Sequence, residues 1–65
     1  MPKYPEIEVQ LLGTDANAFA IMGAVTQAMR RGGIGKEERD AFMDEAMSGD
    51  YDHLLQTCMK WVSVS

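Results

Sequence analysis

Strand-like alternation of apolar and polar residues occurs at the two ends of this chain, and this placement constrains the fold more than any other feature. Ile7, Val9 and Leu11 alternate with polar residues over 6–12, and residues 61–65 read Trp-Val-Ser-Val-Ser. Both patterns have the period of two that is typical of a half-buried strand. Because a strand must pair its backbone N–H and C=O groups, each end has only the other as a partner. The sequence therefore predicts a two-stranded sheet and leaves its orientation open.

Three helices are predicted between these ends, from apolar residues that recur at three- and four-residue steps. They cover, in order, about 16–31, 36–47 and 51–59. Each follows a residue that can cap free helical N–H groups: Thr14 or Asp15, then Gly35, then Asp50. The Gly32–Gly33 pair ends the first helix and Ser48–Gly49 ends the second.

Each helix has one apolar face that we expect to be buried. The predicted core positions are Ala18, Ile21, Met22, Val25, Ala28 and Met29, with Phe19 widening the stripe, in the first helix; Phe42, Met43, Ala46 and Met47 in the second; and Tyr51, Leu54, Leu55 and Cys58 in the third. Arg39 falls on the same side of the second helix as Phe42.

The predicted fold is an α+β single domain spanning 1–65, in the order β-α-α-α-β, with the helices on one face of the sheet. Residues 1–5 form an extended lead-in, because residues before Pro2 and Pro5 avoid the helical region. An alternative is a three-helix domain in which the two ends do not pair.

Catalysis and metal binding have little support. A chain of 65 residues has room for one core and little for a deep active site. His53 and Cys58 are five residues apart, so a helix does not bring them to one face, and no zinc or calcium spacing is present. Cys58 lies on an apolar stripe, where a thiol acts as a small hydrophobic group. We expect no enzyme activity, no catalytic residue, no cofactor and no metal.

The cellular setting expected from the sequence is the cytoplasm. Cys58 is the only cysteine, whereas a secreted domain of this size usually carries several disulfides. The first eight residues lack the apolar segment of a signal peptide, and no apolar run reaches the roughly 20 residues that span a membrane.

Negative charge is concentrated in one part of the chain. The formal net charge is −4, but residues 37–52 hold seven acids and one base, which leaves the other residues slightly basic. These acids are Glu37, Glu38, Asp40, Asp44, Glu45, Asp50 and Asp52. Those on the second helix cover an arc of about 160° opposite Phe42. Five charges over about 12 Å of helix give one per ~2.4 Å, against one per ~1.7 Å for duplex DNA.

Two interpretations of this acidic block stay open. Solvent exposure alone explains acids in the first turns of helices and at the Asp50 cap, where the helix dipole favours them. Asp44 and Glu45 lie near a helix C-terminus, where the helix dipole disfavours acids. Asp40 also repels Asp44 across one turn. A binding surface is the second interpretation.

Two stretches, residues 13–23 and 48–57, resemble small proteins carried by phages, plasmids and other mobile elements. In size and acidity the chain also resembles the small anti-CRISPR proteins, among them inhibitors of type I Cascade complexes. The resemblance covers most of residues 6–62 and implies a stoichiometric inhibitor. It assigns no functional residue.

The predicted function is therefore a non-enzymatic binding protein of the anti-CRISPR type, which mimics DNA. Its seven acids would enter a basic groove of a nucleic-acid-binding protein such as a Cas subunit. We expect a monomer rather than a dimer, with no direct binding to nucleic acid or membrane, since both are anionic. The alternative is an interaction module that binds through apolar surface or self-associates, supported by the small-residue strip of Ala20, Gly23 and Ala24.

Overall fold

The computed structural model describes residues 1–10 and 17–65. Its elements are β1 (Tyr4–Val9), α1 (Ala18–Arg31), α2 (Lys36–Ala46), α3 (Tyr51–Trp61) and β2 (Val62–Val64). The order β-α-α-α-β and the sheet formed by the two terminal strands are confirmed, so the domain is α+β.

The two strands pair in parallel, which settles the orientation that the sequence left open. Val9 lies opposite Val64 and Tyr4 opposite Val62, with an irregular register between Tyr4 and Glu8. Pro5 lies inside this irregular part, and a proline has no N–H to donate to a ladder. Its carbonyl oxygen instead accepts a hydrogen bond from Ser63 Oγ at 2.8 Å.

β1 begins at Tyr4, two residues before the predicted start, and ends at Val9. The extended lead-in is correspondingly shorter than predicted. Ile7 and Val9 are buried, as the alternation predicts. The predicted continuation through Leu11 and Leu12 lies outside the described residues.

α1 is capped by Asn17, whose side chain accepts a hydrogen bond from the Ala20 N–H at 2.7 Å. Thr14 and Asp15, the predicted caps, lie outside the described residues. The helix ends at Arg31, as predicted, and Gly33 follows with a φ of 86°. That left-handed conformation favours glycine, which is why the glycine pair is an effective stop.

α2 and α3 begin where the caps predicted, after Gly35 and Asp50. α2 ends at Ala46 rather than Met47, which is its C-cap. α3 continues two residues past the predicted end, so the prediction of Trp61 as a strand residue was wrong. The physical reason is packing, because Trp61 extends the buried face of Leu54 and Cys58 at helical spacing.

The core lies between the sheet and the three helices. Its members are Ile7, Val9, Ile21, Met22, Val25, Met29, Phe42, Ala46, Leu54, Cys58, Trp61 and Val62. Three predicted core residues are exposed instead: Phe19 at 80%, Met47 at 61% and Tyr51 at 41% of their surface. No helix in the described ranges has the length and apolar character needed to cross a membrane.

Candidate functional site

The rotation of α2 about its axis determines which of its acids face the solvent. Phe42 is fully buried and Ala46 nearly so, and these two residues fix the inner face of the helix. At 100° per residue, Glu37, Asp40 and Asp44 fall within an arc of about 60° on the opposite side. All three are exposed. We call Glu37, Asp40 and Asp44 the acidic ridge.

Glu38 points sideways toward β1 rather than outward. Its Oε1 lies 2.6 Å from Lys3 Nζ and accepts a hydrogen bond from the Tyr4 hydroxyl at 2.5 Å. The hydrogen bond from Lys3, and after it the one from Tyr4, lowers the pKa of the Glu38 carboxyl. The same contact raises the pKa of Tyr4 and of Lys3. Glu38 thus attaches α2 to the first residues of the chain.

Glu45 has a similar role at the other end of α2. One carboxylate oxygen accepts from Lys60 Nζ at 3.0 Å, and the other lies 3.4 Å from Trp61 Nε1. The hydrogen bond from Lys60 is the main cause of the lowered pKa of Glu45. The sequence argument concerned the stability of α2 alone, whereas the partners of Glu45 come from α3.

Aromatic rings fill the space beside these two carboxylates. The Trp61 ring centre lies 5.8 Å from that of Phe42, edge to face, and 6.1 Å from that of Tyr4. Lys3 Nζ lies 4.6 Å from the centre of the Trp61 ring, within cation–π range. Glu38 and Glu45 therefore contact this aromatic cluster directly, through the Tyr4 hydroxyl and Trp61 Nε1 respectively.

Asp50 and Asp52 belong to the start of α3. The Asp50 side chain accepts a hydrogen bond from the His53 N–H at 2.9 Å, which confirms the predicted cap. Asp52 is exposed in the first helical turn, where the dipole favours an acid. Neither residue lies on the acidic ridge.

His53 closes the turn between α2 and α3. Its Nε2 lies 2.8 Å from the Glu45 carbonyl oxygen and 3.0 Å from Ser48 Oγ. Because a carbonyl only accepts, we assign the proton to Nε2, which shares the Glu45 carbonyl oxygen with the Ser48 N–H at 3.2 Å and Ser48 Oγ at 2.7 Å. Within the described part of the chain, no group of three or more potential ligands could hold a metal ion.

The Cys58 thiol is part of the core. It is fully buried, and burial raises its pKa to about 11. A thiolate is the reactive form of cysteine, so this environment opposes nucleophilic chemistry.

The acidic ridge is therefore narrower than the sequence predicts. Three charges over about 10.5 Å of helix give an axial spacing of one charge per ~3.5 Å. This spacing matches the ~3.4 Å between phosphates of a single DNA strand rather than the ~1.7 Å of the duplex. Asp40 also contacts Lys36 Nζ at 3.3 Å, but both side chains are mostly exposed. Exposed pairs of this kind are weak and screened by salt, so Lys36 neutralises Asp40 only in part.

A second surface feature was missed by the sequence analysis. An apolar groove with a volume of about 310 Å³ opens between the start of α1 and the turn that joins α2 to α3. We call it the apolar groove, and its lining includes Ala18, Phe19, Met22, Met47, Tyr51 and Leu54. The available signal was the position of Phe19, Met47 and Tyr51 at helix ends, where few neighbours can cover a side chain.

Comparison of the chain with known protein families, with curated proteins and with solved structures found no match.

Proposed function

We propose that this protein is a non-enzymatic binding protein whose acidic ridge occupies a basic, nucleic-acid-binding groove of a partner. The anti-CRISPR resemblance implies that the partner is a Cas protein and that this protein inhibits it by forming a stoichiometric complex. The observation that carries the proposal is the alignment of Glu37, Asp40 and Asp44 on the outer face of α2.

The contacts of the other acids sharpen the proposal. Glu38 and Glu45 are occupied by Lys3, Tyr4, Lys60 and Trp61, and Asp50 by a helix cap. Glu38 and Glu45 hold α2 against its neighbours and Asp50 caps α3, whereas the one ion pair that the ridge acids make with a described residue is the exposed Asp40–Lys36 pair. The expected order of importance for binding is therefore the ridge first and Glu38, Glu45 and Asp50 last.

A groove that binds phosphates is lined with Lys and Arg, so a row of carboxylates competes for the same cations. Neighbouring ridge charges are about 4.5 and 6 Å apart along the helix axis, less than the Debye length of about 8 Å at physiological salt, so a partner senses neighbouring charges together. Binding should therefore weaken steeply as the salt concentration rises.

The test compares two variants with the same net charge. Glu37→Lys/Asp40→Lys reverses the charge of two of the three ridge acids, and Glu6→Lys/Glu8→Lys reverses the charge of two exposed acids of β1. Each protein is immobilised, exposed to host lysate at low salt and eluted in a salt gradient, and eluted proteins are identified by mass spectrometry. Captured nucleic-acid-binding proteins are then assayed for DNA binding with each variant present.

The expected result is that the wild type and the β1 variant capture and inhibit the same nucleic-acid-binding protein, and that the ridge variant does neither. Equal capture and inhibition by the ridge variant would refute the proposal. Equal loss in both variants would show that net charge matters and the ridge does not.

A second candidate is self-association through α1. Ala20 and Gly23 are exposed, and a Cβ at Gly23 would meet nothing within 4 Å, so another backbone could approach there. Sedimentation at two concentrations and two salt concentrations tests this. A dimer that resists salt and is lost in Gly23→Leu would favour this candidate, and a monomer throughout would exclude it.

A further inference from the structure

The apolar groove exposes more apolar surface than folding requires. Phe19 and Met47 are 80% and 61% exposed at its edge, whereas Met22 and Leu54 beneath them are 4% and 3% exposed. The groove therefore has an ordered floor and open walls. Its volume of about 310 Å³ lies at the lower end of the range for ligand sites. Large apolar side chains that are exposed together mark interaction surfaces more often than scattered ones.

The charged residues at this groove are acidic. Asp50 lines it, and Asp52 follows the lining residue Tyr51. The bases of the described residues do not line it; they are Lys3, Arg30, Arg31, Lys36, Arg39 and Lys60. Lys60, the base on the same helix as the two acids, lies about 12 Å from Asp52 along α3 and is bound to Glu45. This separation exceeds the Debye length of about 8–10 Å, so Lys60 does not neutralise the two acids.

Helix dipoles offset little of this charge. α1 and α3 begin at the groove and α2 ends there, so the three termini leave about half a positive charge in total. The rim thus keeps a negative potential beside an apolar floor. An occupant that complements both features is apolar on one side and cationic on the other.

We infer that the apolar groove binds an amphipathic helix of a partner protein, with apolar side chains at i, i+3, i+4 and i+7 and with Lys or Arg beside them. This is the helix-in-groove mode, in which apolar anchors fill the floor and charges at the rim select the partner. A second copy of this chain fits poorly, because a two-fold contact would place the acidic rims against each other. The inference concerns a surface other than the acidic ridge and does not depend on the proposed function.

The test uses a fluorescein-labelled synthetic peptide of about 18 residues, or five helical turns. Leucines follow the i, i+3, i+4, i+7 spacing and the other positions are mainly lysine. One control peptide has the same composition with the leucines spread around the helix. Another replaces every lysine with glutamate. Binding is measured by fluorescence anisotropy at about 0.15 M salt, where exposed charges beyond the contact are screened.

Met47→Ser is compared with Met59→Ser, a methionine of similar exposure that does not line the groove. Phe19→Ser provides a second groove variant. Since Phe19 and Met47 are mostly exposed, both variants should fold, and circular dichroism verifies this. Each groove variant should weaken binding of the amphipathic basic peptide by about tenfold or more, while Met59→Ser stays within about twofold. In NMR spectra of the isotope-labelled protein, addition of the peptide should change the amide chemical shifts of residues 18–22 and 46–54.

Several results would overturn the inference. One is equal binding of the peptide with dispersed leucines, and another is equal binding of the glutamate peptide. A third is unchanged affinity of Met47→Ser and Phe19→Ser. A concentration-dependent dimer that Met47→Ser abolishes would identify the occupant as a second copy and would also overturn it.

Discussion

Truncation of Phe42 tests the fold and the orientation of the acidic ridge together. The Phe42 ring is fully buried and lies 5.8 Å from Trp61 at an interplanar angle of 76°. A buried Phe→Ala change costs about 3–5 kcal/mol, whereas a domain of this length has a total stability of about 3–10 kcal/mol. Phe42→Ala should therefore remove about half or more of the free energy of unfolding.

Phe42→Leu gives a measurable intermediate case. Leucine keeps most of the apolar volume but loses the aromatic pair, which predicts a cost of about 1–2 kcal/mol. With a urea m-value of about 1 kcal/mol/M, the unfolding midpoint should fall by about 1–2 M. The assay follows urea unfolding by circular dichroism and by the emission of Trp61, the only tryptophan.

Met43→Leu is the matched control, because Met43 follows Phe42 in the sequence, is half-buried, and is replaced by a residue of similar volume. Its cost should stay below about 1 kcal/mol. If Phe42→Ala unfolded at the wild-type urea concentration, α2 would not bury this face. The assignment of Glu37, Asp40 and Asp44 to the outer face would then be wrong as well.

Three further predictions concern the α2–α3 region. Gly49→Ala should lower the melting temperature, since an added Cβ would lie 2.7–2.9 Å from His53 ring and Cβ atoms; an unchanged melting temperature would contradict this packing. Cys58 should react with a thiol reagent at pH 8 only as fast as the protein unfolds, because burial raises its pKa to about 11; rapid reaction of the folded protein would contradict its burial. Lys60 lowers the pKa of Glu45 below the ordinary 4.5, so this stabilisation is complete above pH 4.5 and is lost as the pH falls through the lowered value. Glu45→Gln should therefore flatten the acid side of a stability–pH profile, and an unchanged slope would show that the ion pair contributes nothing.

Much of the fold could be predicted from the sequence, because the local signals agree with one another. Caps, glycine stops and helical periodicity place α1, α2 and α3 within two residues of most of their observed ends. The pairing of β1 with β2 followed from the need of each strand for a partner. Strand orientation did not follow, because alternation is the same whichever way a strand runs.

The candidate site was harder to predict, since it depends on tertiary contacts. Periodicity places Glu38 and Glu45 among the outer acids, but Lys3 and Lys60 reach them from other elements. Phe19 continues the apolar stripe of α1, yet it lies at a helix end where no described element covers it. A helical stripe shows which residues are apolar, and only the packing of neighbours shows which are buried.

The parallel pairing of the two terminal strands also determines when the protein can fold as it is synthesised. β1 is made first, but its ladder partners are Val62, Ser63 and Val64. All three helices must therefore leave the ribosome before the sheet can close. Closing the loop between the strands, of about 50 residues, costs roughly 3.5 kcal/mol of chain entropy plus a constant. The helices can begin to form as they emerge, whereas β1 can pair only after β2 has been synthesised.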